Sequence, residues 1–211
     1  YAHTTLAAIE NTANRGGGAF YQHAEIEGIG RLCREKGLRL HCDGARLFNA
    51  AEAANMEPRF LVQACDTVCF CLSKGLGAPA GSVLAGEKET IHRALRFRKM
   101  LGGGMRQAGV LAAAGLYALE HQVQDLAEDH RRAREFRRGL EAEGVRFTLP
   151  SPTNILYVEV GNSARVVPAL EALGVRVLPH GAGRVRVVFH RDVDDTGLKT
   201  ALEAFKKVLG G

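Results

Sequence analysis

Two residues in this sequence stand where chemistry could be done. Lys74 sits in Ser73-Lys74-Gly75-Leu76-Gly77-Ala78-Pro79, directly after the apolar run from Thr67 to Leu72. A lysine there is either an ordinary loop residue reaching solvent or an amine held against a bulky group. The neighbouring glycines favour the second reading: they let backbone approach closely, and an amine kept from water is the nucleophile that Schiff-base chemistry needs. Asp43 follows the run Leu38-Arg39-Leu40-His41-Cys42. It is open to two uses, as N-cap of a helix beginning at Ala45 or as a carboxylate that keeps a heterocyclic nitrogen protonated and its ring electron-withdrawing. At the ends of two separate strands, Asp43 and Lys74 could address opposite ends of one flat cofactor.

The elements around them must deliver both residues to one edge. Helix and strand patterns alternate through the first half, which predicts an α/β fold whose mostly parallel sheet is covered by helices. Residues 22–36 carry helical spacing, with Ile26, Ile29 and Cys33 on one face and Gly37 as the stop. Strands are expected over 38–42, 67–72 and 81–85, and helices over 87–98 and 105–126, with Gly102-Gly103-Gly104 as the loop between the helices. Both chemically loaded segments therefore follow strand carboxyl ends, where open α/β sheets bind ligands.

From residue 126 the pattern changes. A charged helix runs to 143 and stops at Gly144, followed by short strands at 145–149, 154–160, 175–178 and 185–190 with helices near 164–173 and 194–209. The expected division is residues 1–125, part of a large domain, and residues 126–211, a small C-terminal α+β domain reached through a long linking helix.

A chain of 211 residues, 46% of them hydrophobic, can bury a substantial core. No run approaches the roughly 20 apolar residues of a membrane span, and no basic-then-apolar leader opens the chain. A soluble, cytoplasmic protein without a membrane partner is expected. The sequence opens on Tyr1, and Thr4 to Ile9 already reads as strand, so the chain is expected to start inside a domain. Cys33, Cys42, Cys65, Cys69 and Cys71 lie in apolar runs without C-x-x-C spacing, which reads as buried free thiols rather than a metal or redox site. The net charge of +5 raises the question of nucleic acid. Its densest run, Arg131, Arg132, Arg134, Arg137 and Arg138, is interrupted by Glu135 and lacks interleaved aromatics, so a solvated helix face is expected instead. Neither G-x-G-x-x-G nor G-x-x-x-x-G-K-[ST] occurs, which weighs against a nucleotide site.

Three blocks carry a resemblance to a known family. His41-Cys42-Asp43-Gly44-Ala45-Arg46-Leu47-Phe48-Asn49-Ala50, Ser73 to Ser82, and Arg98-Lys99-Met100-Leu101-Gly102-Gly103-Gly104-Met105-Arg106-Gln107-Ala108-Gly109 resemble, in order, the signature blocks of low-specificity L-threonine aldolases. The resemblance extends to Glu10-Asn11-Thr12 and to Arg186-Val187-Val188-Phe189-His190. It implies a pyridoxal-phosphate (PLP) enzyme of the aspartate aminotransferase type, fold type I, with part of the large domain and a small α+β domain. Homodimers or homotetramers with active sites between subunits are implied as well.

Position by position, the resemblance implies that Lys74 carries the cofactor as an internal aldimine and that Asp43 pairs with the pyridine nitrogen. Arg46, also counted among the cofactor contacts, and Arg186 would bind the substrate carboxylate, for which guanidinium forks are suited. Lys99 and Arg106 would reach the cofactor phosphate. The implied reaction is retro-aldol cleavage of L-threonine, L-allo-threonine and related β-hydroxy-α-amino acids to glycine and an aldehyde.

The sequence departs from the family pattern in two places. A histidine expected after Glu10-Asn11-Thr12 is replaced by Ala13, and His23 lies too far along to be an obvious substitute. The resemblance also implies an N-terminal segment with a phosphate-binding turn and a ring-stacking histidine, which is expected to lie outside these 211 residues. A β-eliminating lyase or racemase on the same fold, and a non-catalytic remnant kept for oligomer contacts, therefore stand as alternatives.

Overall fold

The computed structural model describes residues 3–210, so the outermost ends of the expected 1–125 and 126–211 division lie outside the described residues. The chain forms two compact units. Among the described residues, the first comprises 3–12 and Phe20–Gln124, the second Ala13–Ala19 and 125–210.

In the first unit, strand β1 (Leu6–Glu10), helix α1 (His23–Glu35), strand β2 (Arg39–Asp43), helices α2 (Leu47–Ala54) and α3 (Pro58–Leu61), strands β3 (Thr67–Cys71) and β4 (Ser82–Gly86), and helices α4 (Lys88–Met100) and α5 (Gly109–His121) follow in order. The sheet order is β1-β2-β3-β4. The first three strands are parallel and β4 returns antiparallel to β3. One face is closed by the helices: Ile26 and Cys33 of α1 and Leu47, Ala50 and Ala51 of α2 pack on Ile9, Leu40 and Cys42. Period-two alternation turns these strand residues to one side. At the start of α1 the Gln22 amide donates to the Glu25 carboxylate at 2.7 Å. At its end Gly37, at φ 67°, reverses the chain as its spacing predicts.

Three elements differ from the sequence reading. Helices α2 and α3 have only 8 and 4 residues, too short to show a helical period. The expected helix over 105–126 is confined to Gly109–His121. Gly104 at φ 126° and Gln107 at φ 51° hold the backbone out of helical geometry before it, and Gln122 to Asp125 separate it from the next helix.

The second unit contains α6 (Leu126–Glu141), β5 (Ile155–Glu159), α7 (Ser163–Glu171), β6 (Leu178–Pro179), β7 (Arg184–Val188) and α8 (Asp195–Leu209). Its sheet has the antiparallel order β5-β7-β6. Phe136 and Leu140 of α6, Val166 and Leu170 of α7, and Leu198 and Phe205 of α8 close over Leu156, Val158, Val185 and Val187. The strand expected over 145–149 does not form. Pro150 has no amide to pair, and the Arg137 guanidinium captures the carbonyls of Leu149 and Pro150 at 3.0 and 2.6 Å. Three arginines of the run on α6 are paired with carboxylates of α6 and α8: Arg131 meets Glu128, Glu135 and Asp195, Arg132 meets Asp195, and Arg137 meets Glu141.

The same helix buries two titratable neighbours. Asp129 is 1% exposed, and neither carboxylate oxygen has a hydrogen-bond partner among the described residues. Burial raises it to about 6, opposed by Arg132 and His190. His130, 2% exposed, is lowered to about 4 by burial and by the charge of Arg134. The native state therefore holds the Asp129 proton more tightly than the unfolded chain does. Stability from this group is present below about pH 4 and is lost as pH rises through about 6. His130 acts in the opposite sense, since its contribution is present above about pH 6.5 and is lost as pH falls through about 4. Asp129→Asn is expected to gain stability over wild type progressively from pH 4 to 6 and by a constant amount above. Urea unfolding at a series of pH values checks this; a pH-independent difference contradicts it.

Among the described residues, no helix is long and apolar enough to cross a membrane, and no group of three or more His, Cys, Asp or Glu side chains could hold a metal ion.

Candidate active site

Asp43 is the last residue of β2 and lies opposite Cys69 of β3 in the parallel register. The chain then turns sharply through Gly44, where a side chain would have no room: a Cβ would lie 2.7 Å from the Cys69 carbonyl oxygen and 3.1 Å from Leu47 Cβ. Gly44→Ala is expected to cost about 1–3 kcal/mol in thermal or urea unfolding, because the obstructing atom is backbone and cannot rotate away.

The turn is tied to the end of β1 by Asn11, which is fully buried. The Asn11 amide donates to the Asp43 carbonyl at 2.8 Å, its carbonyl accepts from the Arg46 amide at 3.3 Å, and its side-chain oxygen accepts from the Tyr21 amide at 2.9 Å. Asn11 thus joins three chain segments that the sequence separates. Arg46 is half-buried and precedes α2. The helix begins at Leu47, so Asp43 is not its N-cap. Asp43 Oδ1 instead accepts the Ala45 amide inside the turn at 3.1 Å and the Cys69 thiol at 3.7 Å.

Beyond β3 the chain makes a closed loop. The Leu72 amide donates to the Gly81 carbonyl and the Ala78 amide to the Leu72 carbonyl, each at 3.0 Å, while Leu72, Leu76 and Ala78 are buried beneath. Gly77, at φ 73°, lets its amide reach back to the Lys74 carbonyl at 2.8 Å. A buried base with an exposed tip leaves Lys74 projecting from the loop, its ammonium making no hydrogen bond or ion pair among the described residues. Asp43 and Lys74 thus leave the carboxyl ends of two neighbouring parallel strands.

Lys99, in the last turn of α4, and Arg106, in the turn before α5, are exposed. Neither makes a hydrogen bond or ion pair among the described residues, so the structure does not join them to Asp43 or Lys74. Gly104 lets the Lys99 chain pass close by: a Cβ there would be 3.6 Å from Lys99 Cδ. His23 opens α1 in the first unit with its Nδ1 buried and unpartnered, whereas Ala13 belongs to the second.

Arg186 lies on β7 of the second unit, paired across the sheet with Tyr157 of β5. Its Nε is buried without a hydrogen-bond partner, a cost that an anionic ligand would remove. Tyr157 packs edge-on against His180 at 4.6 Å between ring centroids and donates its hydroxyl to the Asn14 carbonyl at 3.1 Å. Thr153 donates to the Gly18 carbonyl at 2.9 Å. These bonds fasten the loop of Ala13–Ala19 to the second unit. The sequence assigned no site role to Asn11, Cys69 or Tyr157. Cys69 and Tyr157 look like ordinary apolar-strand residues until register pairs them with Asp43 and Arg186.

The family model described as beta-eliminating lyase matches residues 1–163. The low specificity L-threonine aldolase of Escherichia coli is 43% identical over 195 residues, covering 92% of this chain and 57% of that protein. A solved threonine aldolase from Leishmania major superposes with a TM-score of 0.80 at 22% identity, covering 97% of this chain and 61% of that one. An aspartate aminotransferase variant from Thermus thermophilus gives 0.69 at 23% identity, covering 98% and 57%. These likenesses establish the expected aspartate aminotransferase-type fold. The chain spans 42–60% of the length of the curated relatives it matches.

Proposed function

We propose, because this chain belongs to the beta-eliminating lyase family, that it forms part of a PLP-dependent threonine aldolase, cleaving the Cα–Cβ bond of L-threonine and L-allo-threonine to glycine and acetaldehyde. The observation that carries the reading is the departure of Asp43 and Lys74 from the carboxyl ends of adjacent parallel strands. The residues of the first unit fit the cofactor: an exposed amine at Lys74 and a carboxylate at Asp43 held by backbone.

Bound PLP supplies an electron sink for the carbon left when the bond breaks. Lys74 would hold the cofactor through Nζ. Asp43 supplies the negative charge that keeps the ring nitrogen protonated. Arg46 and, separately, Arg186 would each serve as a ligand for the substrate carboxylate, a role that guanidinium forks suit. Lys99 and Arg106 would reach the cofactor phosphate of a neighbouring subunit in a homodimer or homotetramer. Residues 1–125 are here the C-terminal part of the cofactor-binding large domain and 126–211 the small domain. The wider role is a cytoplasmic one in threonine catabolism and glycine biosynthesis.

Incubation of the purified protein with PLP and L-threonine, L-allo-threonine or D-threonine tests the reaction. Acetaldehyde and glycine in equal amounts are expected from the L-substrates. The family model's description favours one second reading, β-elimination, which would release ammonia and 2-oxobutyrate from threonine. Those products, or none, overturn the aldolase reading.

A further inference from the structure

The face of the sheet that carries Asp43 is built from cross-strand polar pairs. His41 and Thr67 are in register and joined at 2.8 Å between Nδ1 and Oγ1. Two residues further along both strands, on the same face, Asp43 and Cys69 are in register and joined at 3.7 Å between Oδ1 and Sγ, within the reach of a sulfur hydrogen bond. The Ala45 amide donates to that same Oδ1. A carboxylate held by one bond can still turn about its side-chain torsions. A second donor from a different strand removes that freedom, and both donors fall on one oxygen.

We propose that Cys69 is a positioning residue for Asp43: its thiol and the Ala45 amide together hold Oδ1, so that Oδ2 is the oxygen left for a protonated ring nitrogen. The proposal rests on the PLP reading above. Chemistry at the sulfur is consistent with a donor. Burial, followed by the charge of Asp43, pushes the Cys69 thiol up, which keeps the proton on sulfur at neutral pH. A thiolate at this distance would repel the carboxylate instead of steering it. Cys42, the next cysteine along β2, belongs to the opposite face and packs among Leu40 and Ile9, so the arrangement is specific to position 69.

The test compares PLP affinity, read from the visible absorption of the bound cofactor, among Cys69 variants of the whole protein. Cys69→Ser keeps a donor and Cys69→Ala removes it; Cys69→Thr and Cys69→Val repeat the comparison with side chains of nearly equal shape. Each donor-free variant is expected to bind PLP about five-fold more weakly than its donor-bearing counterpart. A PLP analogue with carbon in place of the ring nitrogen separates steering from packing. If Cys69 acts through Asp43, the five-fold difference disappears with the analogue. Equal affinities within each pair overturn the proposal, and so does a difference that persists with the analogue. If Cys69→Ala does not fold, the Val and Thr pair decides alone. Failure of the wild type to bind PLP at all overturns the proposed function along with this one, whereas binding that ignores position 69 overturns only the role of Cys69.

Discussion

Lys74→Ala is expected to abolish the visible absorption band that PLP gives on covalent binding and to lower kcat/KM for L-threonine by about a thousand-fold or more. The size of the effect follows from what the side chain alone can supply, an amine that forms and exchanges the covalent link. Arginine cannot replace it, since a guanidinium does not act as this nucleophile, so Lys74→Arg is expected to match the alanine variant despite keeping the charge. Folding is not expected to suffer. The loop is held by Leu72, Ala78 and Gly81 through backbone bonds, and Lys74 contributes only its carbonyl, which alanine keeps. Unfolding free energy should stay within about 0.5 kcal/mol of wild type, as for other exposed substitutions without partners. A Lys74→Ala protein that retained the covalent band would remove Lys74 from the mechanism.

Phe136→Ala is expected to be the most damaging single change to the second unit, costing about 3–5 kcal/mol. Phe136 is fully buried on α6 and meets two other rings, Phe189 at 5.5 Å and Phe205 at 5.1 Å between centroids, the latter edge-on at 89°. Removing it opens a cavity where α6, α8 and the end of β7 converge, and also loses the ring-to-ring contacts. The surrounding side chains are anchored on three separate elements, so little collapse into the space is possible. Hydrogen exchange at the amides of β5 and β7 measures the loss locally. Protection reduced in β5 and β7 but not in β1 to β3 is the expected pattern; unchanged protection in β5 and β7 contradicts the placement of Phe136 at the core.

Lys74 and Asp43 were legible because each follows a strand pattern that ends abruptly, a continuous apolar run up to Leu72 in one case and the alternation Leu38-Arg39-Leu40-His41-Cys42 in the other. The stop at Gly37 was equally local, a residue tolerant of positive φ just past a helical period. In each case the information lies within a few residues. The break before α5 was not legible in this way. Ala and Leu dominate the segment after Met105, and their composition does not disclose that Gln107 takes a left-handed conformation. Nor did the run from Val145 to Leu149 reveal that Arg137 would take the carbonyls at its end.

What the sequence by itself determined is the inventory of reactive groups and their attachment to strand ends. Local periodicity depends on the chain's own geometry, which any stretch of residues carries with it. Only the tertiary structure decided which residues face one another. Register between strands is a non-local choice, and a shift of one residue would turn Cys69 away from Asp43 and Tyr157 away from Arg186. The same holds for Ala13–Ala19, whose place in the second unit rests on bonds from Thr153 and Tyr157, more than a hundred residues away along the chain.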